Sequence, residues 1–187
     1  MAEWRRLRPF KILDFDCENR PLSYLSGDFT TPELTVIAWK FPGQDLRCVY
    51  QPNHSLDQML RSFLEVYDEA DMVTGHNIIR HDLRLINAML LEQGMLPLGC
   101  KLVCDTWADL KKRSPGFASQ ATLAETLGVR APKVGMSTPA WRKANRLESE
   151  AVERAVKRAI GDVRQHIPMR KVLLARGWLR SPRVWRP

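Results

Sequence analysis

The chain of 187 residues is 44% hydrophobic, long enough to bury one substantial core and short for two, so a single compact domain over 1–187 is expected. No apolar run of about 18 residues is present to cross a bilayer, and the opening "MAEWRRLRPF" lacks the apolar centre of a signal peptide, which makes the cytosol the expected location. Lys and Arg number 29 against 21 Asp and Glu, a formal net charge of +8 gathered in "WRRLRPFK" and in the tail from about residue 177, where Trp178 and Trp185 interleave with arginines; this fits a polyanion-binding surface and, equally, a solvated helix face with a loose tail.

"FKILDFDC", at about 10–17, is predicted to be a strand that opens the domain. "ELTVIAWKF" and "DLRCVY" follow as β-rich runs separated by "PGQ", the pattern of an antiparallel hairpin. Over 55–70 a capping serine precedes Leu56, Met59, Leu60, Phe63, Leu64 and Tyr67 at helical spacing. "DMVTGHN" reads as a short strand entering a loop, and "DLRLINAMLLEQG" as a helix closed by Gly94. "CKLVCD" is a predicted fifth strand, followed by a helix over "TWADLKKR". "ATLAETLG" has the glycine stop of a short helix, whereas "VRAPKVGMSTPAW" is punctuated by Pro and Gly and is predicted to be loop. From Leu147 to about Arg176 the pattern is helical again, with Pro168 expected to kink or divide it. The order implies an α/β domain with a mixed sheet covered by helices. Cys17, Cys48, Cys100 and Cys104 lie in or beside apolar stretches, and "CKLVC" has no second pair to complete a zinc site, so free, mostly buried thiols are expected.

The stretch "DFDCEN" places Asp14, Asp16 and Glu18 on one face of the first strand, where crowded negative charge repels itself and resists desolvation. A positive partner is required there. Two further acids stand in telling contexts. Asp82, in "GHNIIRHD", starts a helix, where it suits the dipole and has a plain reading as a cap. Asp162, in "AIGDVRQH", lies inside the long C-terminal helix among Val156, Ala159, Ile160 and Val163, with a plain reading as an exposed face residue.

Taken in order, "ILDFDCENRP", "VTGHNIIRHDLRLIN" and "AVKRAIGDVRQH" resemble the three exonuclease motifs of the DnaQ-like (DEDD) 3′–5′ exonucleases, with "CDTWADLKK" and "ATLAETLG" matching the usual spacer between the second and third. The resemblance covers roughly residues 10–176, and the short format with "ENRP" after the first motif is most like bacteriophage-encoded members, for which the location would be the host cytoplasm. It implies a ribonuclease-H-like fold: a five-stranded mixed sheet, its second strand antiparallel, flanked by helices. By position, Asp16, Glu18, Asp82 and Asp162 match the four metal-binding carboxylates, implying two Mg²⁺ or Mn²⁺ ions. Asp14 does not match and is expected to act behind them or to pair with an arginine. The chemistry of the residues agrees, because two hard cations about 3.5–4 Å apart can activate water and stabilise a leaving alkoxide, and carboxylate oxygens suit such ions better than structural zinc.

The sequence departs from the family at the general base, normally a Tyr four residues or a His five residues before the last aspartate. Arg158 and Lys157 hold those positions, and neither is a credible base when protonated. Three explanations stand open: His166, one turn beyond Asp162, takes the base role; metal alone activates water while Lys157 or Arg158 binds the scissile phosphate; or catalysis is lost and the protein holds nucleic-acid ends. Of the other histidines, His76 fits a loop-shaping role beside Asn77, which is expected to approach the nucleotide, His81 stands where phenylalanine is common, and His54 reads as surface. Lys133 and "GMS" precede Trp141 in a stretch that either lines the cleft or is anchored by that tryptophan.

The implied activity is removal of nucleotides from a DNA or RNA 3′ end, on single-stranded or 3′-ended nucleic acid, by a monomer with a replication or repair polymerase as a possible partner. The alternatives are a non-catalytic nucleic-acid binder and a structure-selective endonuclease, a choice that fold cannot make.

Overall fold

The computed structural model describes residues 8–20, 33–113, 119–130 and 134–187. Alternation along the first strand sorts its side chains. In β1 (Ile12–Arg20), Leu13, Phe15 and Cys17 enter one buried apolar cluster, and Asp14, Asp16 and Glu18 face the opposite side. Antiparallel β2 (Glu33–Lys40) sets Ala38 beside Asp16 and Val36 beside Glu18, and β3 (Arg47–Tyr50) extends the hairpin through a turn with Gly43 at φ +77°.

The chain then runs through α1 (Leu56–Glu69), β4 (Met72–Gly75), α2 (Asp82–Glu92) and β5 (Lys101–Asp105), with β4 and β5 parallel to β1. Four helices follow, α3 (Thr106–Lys111), α4 (Gln120–Thr126), α5 (Thr138–Asn145) and α6 (Ser149–Ala175), and the chain closes with β6 (Arg183–Trp185), antiparallel to β5. The sheet order is β3-β2-β1-β4-β5-β6. This is the expected ribonuclease-H-like class of α/β fold with an antiparallel second strand, and among the described residues six strands replace the expected five.

The sixth strand comes from the basic tail, which is held rather than loose. Asp109 is buried and binds it twice, accepting from Arg183 Nη1 at 2.8 Å and from the Arg180 amide at 3.1 Å. Trp185 packs against the main core. On that core's face of the sheet, α1 and α2 bring Phe63, Tyr67, Ile86 and Met89 onto Leu13 and Phe15, each large side chain contributing roughly 1.5–3 kcal/mol on burial. On the other face, Ala155, Ala159 and Val163 of α6 pack on Val36 and Ala38. Small side chains here let α6 lie close over β1 and β2.

Two expected irregularities resolve differently. Helix α6 continues through Pro168 without a break. Pro168 is exposed, and so is Arg164, whose carbonyl loses its helical partner to the proline and can turn to water. The second half of the expected loop "VRAPKVGMSTPAW" begins α5, because Ser137 caps the helix and Pro139 suits its first turn. Trp141 packs beside the α6–β2 cluster, as an anchoring residue would. Lys133 and the part of the basic N-terminal stretch before Arg8 lie outside the described residues. The four cysteines are free, Cys17 and Cys104 buried, Cys48 partly so and Cys100 exposed. Among the described residues, no helix is long and apolar enough to cross a membrane.

Gly75, at the end of β4, is required for a close approach. A Cβ there would lie 2.3 Å from Ile78 Cγ2 and 2.8 Å from the Phe15 carbonyl oxygen. Gly75→Ala is therefore expected to lose about 1–3 kcal/mol of stability through overpacking. An unchanged urea midpoint would show instead that the loop after β4 shifts freely.

Candidate metal centre

Two residues of a strand advance about 6.6 Å and four residues of a helix about 6 Å, so alternate positions of β1 can meet successive turns of α6. They do, in antiparallel sense, and the contacts form three rungs. At one end, buried Asp14 accepts from His166 Nδ1 at 2.9 Å and from Arg170 Nε and Nη2 at 3.2 and 2.9 Å. At the other, Glu18 Oε1 accepts from Arg158 Nε at 2.5 Å. The middle rung sets Asp16 against Asp162, acid against acid.

Asp16, Glu18 and Asp162 each present an oxygen within 4.8 Å of the others. Asp16 Oδ2 is buried and has no hydrogen-bond partner among the described residues. Asp82 joins from α2, its Oδ1 accepting the Cys17 amide of β1 at 2.8 Å, so the main chain between Asp16 and Glu18 fixes its position. His81 lies 3.4 Å from the other Asp82 oxygen and reaches Asn19 Oδ1 at 3.2 Å through its far nitrogen. All four matched carboxylates line one cleft of about 320 Å³.

The electrostatics follow from this crowding. Burial raises the Asp16 carboxyl well above the usual range, and repulsion by Asp82, Glu18 and Asp162 adds to it, with Arg158 only partly opposing. Burial likewise pushes Glu18 up to about 7, against the pull of Arg158. At Asp14 burial works upward too, yet the His166 and Arg170 contacts outweigh it and hold the group below its ordinary value. Oxygen-only donors, a partnerless buried oxygen and self-repelling charge fit a hard divalent cation such as Mg²⁺ or Mn²⁺.

The loop between β4 and α2 forms another wall of the cleft, and Asp105 holds it. This buried acid ends β5 and accepts from the amides of Asn77 at 2.9 Å, Ile79 at 3.0 Å and Ala108 at 3.0 Å, capping α3 with the same side chain. Asn77 adopts φ +71°, a conformation in which short polar residues are favoured among non-glycines, and its side chain lines the cleft. His76 Nδ1 lies 3.0 Å from Thr106 Oγ1, a side-chain contact to the start of α3.

Several expectations change on this frame. His166 is buried beneath the cleft and does not line it: one nitrogen binds Asp14 and the other lies 3.4 Å from Thr106 Oγ1. It braces α6 against β1 and α3, and the role of a base swinging toward the site is set aside. Lys157 is exposed and outside the cleft, since five residues of helix place it about 140° around the axis from Asp162. Arg158 does line the cleft, but Glu18 and Asp162 engage it, the latter at 3.9 Å. Asp14 has the arginine partner expected of it.

Asp105 and Trp107 were not singled out by sequence. Trp107 lines the cleft with Arg80 and Lys111 set over its ring at 5.2 and 4.5 Å from the centroid. The only local signal was an N-cap pattern in "CDTWA"; the residues these two side chains touch lie up to 28 positions away.

Fold and site together define the class: a mixed α/β domain with an acidic cluster, suited to a divalent ion, between its first strand and its last helix. No family model matches the chain, and no curated protein matches it at a significant level. Among solved structures it is similar to the family B DNA polymerase from the hyperthermophilic archaeon Pyrobaculum calidifontis, with a TM-score of 0.72 and 17% identity over 89% of this chain and 25% of the polymerase chain. The chain thus spans about a quarter of that polymerase's length, and the likeness is one of fold.

The raised carboxyls set the pH dependence of the metal-free protein. Glu18 sits at about 7 when folded against an ordinary 4.5, so its contribution to stability is present below about 4.5 and lost as pH rises through about 7. In chelator, the melting temperature is expected to fall between pH 5.5 and 8, and added Mn²⁺ should reverse the fall. Asp16→Asn should raise the metal-free melting temperature by about 2–4 °C per kcal/mol of relieved repulsion and weaken the Mn²⁺ response. Calorimetry showing a pH-independent melt in chelator would contradict the charge assignment.

Proposed function

We propose that the protein is a divalent-metal-dependent 3′–5′ exonuclease acting on DNA or RNA. The observation that carries this proposal is the middle rung, where Asp16 and Asp162 oppose each other with Asp82 and Glu18 alongside, inside a cleft. The motif resemblance and the polymerase-like fold support it. Asp16, Glu18, Asp82 and Asp162 would hold the metal, which when bound supplies water activation and stabilises charge on the departing oxygen.

The protein's own residues position the reacting groups. Asp82 is pinned by the Cys17 amide and Asp162 by α6, so the acids converge without rearrangement of the main chain. Asn77 and Trp107 stand on the wall where a terminal nucleotide would enter, the tryptophan offering a surface for base stacking and Arg80 and Lys111 offering charge to the phosphates. With His166 engaged by Asp14, and Lys157 outside the cleft, the geometry favours metal-dependent activation of water over a side-chain base.

The test is mononucleotide release from 3′- and 5′-labelled single-stranded DNA and RNA with Mn²⁺, Mg²⁺ or EDTA. Metal-dependent shortening from the 3′ end is expected. Asp16→Asn and Asp162→Asn should each lower it by more than the 10–100-fold typical of losing a group outside the ligand set. Failure to release nucleotides under any condition, with binding intact, would assign the fold to holding nucleic-acid ends, and cleavage of a circular single strand would assign it to internal cutting.

A second measurement addresses the wall. Trp107→Ala is expected to weaken binding of single-stranded oligonucleotide in EDTA by the ~1–3 kcal/mol typical of one stacked base, about 5- to 150-fold. Unchanged affinity in a fluorescence-anisotropy titration would exclude the tryptophan from the substrate path.

A further inference from the structure

The three rungs differ in how their charge is met, and the difference points to a role for Arg158. At the Asp14 end the partners are His166 and Arg170, deep beneath the cleft. At the Glu18 end the partner is Arg158, which lines the cleft itself. Its guanidinium is held on three sides: Nε on Glu18, Nη2 at 3.9 Å from Asp162 Oδ2, and Nη1 at 3.5 Å from the Val134 carbonyl oxygen. A guanidinium does not lose its proton in a protein and cannot leave such a site by neutralising itself.

We propose that Arg158 is a built-in counter-cation at the Glu18 end of the cluster, so that the substrate-free centre takes one divalent ion, at Asp16 and Asp162, rather than two. The proposal rests on the metal-dependent nuclease function above and departs from it in giving Glu18 to Arg158 rather than to the metal. Glu18 Oε1 is already committed to Arg158. A second divalent ion would also face the fixed charge at close range, in a site where neighbouring charges are poorly screened. On the middle rung Arg158 reaches Asp162 only at 3.9 Å. Asp16 Oδ2, buried without a partner among the described residues, is where the single ion's demand is greatest.

Arg158 would therefore do for the Glu18 end of the cluster what an ion does for the middle rung, and its Nη2, 3.9 Å from Asp162 Oδ2, brings positive charge to the cleft where a substrate phosphate would lie.

The experiment is isothermal titration of the full chain with Mn²⁺, without nucleic acid, with circular dichroism as the check on folding. The wild-type protein is expected to bind one ion per chain. Arg158→Gln, which removes the charge but keeps a polar side chain, should bind two, and Arg158→Lys, which keeps the charge, should remain at one. Two ions in the wild type, or one in a folded Arg158→Gln protein, would overturn the role of Arg158 and leave the nuclease proposal standing. No Mn²⁺ uptake by the wild type would overturn both. Should the Gln variant not fold, one ion in both the wild type and the Lys variant upholds the proposal, and two in either defeats it.

Discussion

Everything at this site depends on a match of lengths. A turn of four residues in α6 and a step of two residues in β1 cover nearly the same distance, about 6 Å against 6.6 Å, so Arg158, Asp162 and the His166–Arg170 pair meet Glu18, Asp16 and Asp14 in register. The outer rungs close as ion pairs inside the protein. The middle rung sets acid against acid, and burial without a cation would drive a proton onto Asp16. A fold that pairs the ends and leaves Asp16 Oδ2 buried without a hydrogen-bond partner among the described residues has concentrated its demand for positive charge at one point.

The remaining elements hold the walls around that point. The alanines of α6 allow it to lie close on β2, which keeps the rungs within reach. Gly75 lets the chain after β4 pass under Phe15, and Asp105 then receives amides of the same loop while capping α3. Asp82 begins α2 at the far end of that loop and is tied back to β1 through the Cys17 amide. Loop, helix start and strand are thus one hydrogen-bonded unit, with few rotatable groups left to order when substrate enters. The tail adds an edge strand rather than a free arm, since Asp109 anchors it from within.

The fold class was legible because its signals are local: alternating apolar residues in β1, a continuous apolar run in β2, a capped amphipathic α1, glycine stops after the later helices. That the four carboxylates would meet in one cleft was legible from their order and context. The roles of their neighbours were not. Lys157 and Arg158 are adjacent in sequence and equivalent in charge, yet one points to solvent and the other into the cleft. His166 shares the helix face of Asp162, which made it look like a base, but the strand opposite it offers Asp14 at that depth and captures it. Asp105 carried only a helix-cap signal, because the amides of Asn77 and Ile79 that give it a second role lie 28 and 26 residues away.

The sequence by itself determined which residues share a face: Asp14, Asp16 and Glu18 by the period of a strand, and Arg158, Asp162, His166 and Arg170 by the turns of a helix. Those are properties of one segment, set by backbone geometry. Tertiary structure decided how the two faces slide against each other, and hence which acid meets a base and which meets another acid. That register is fixed by side-chain volume at the α6–β2 contact and by ion pairs between residues up to 156 positions apart, neither of which leaves a mark on the local pattern.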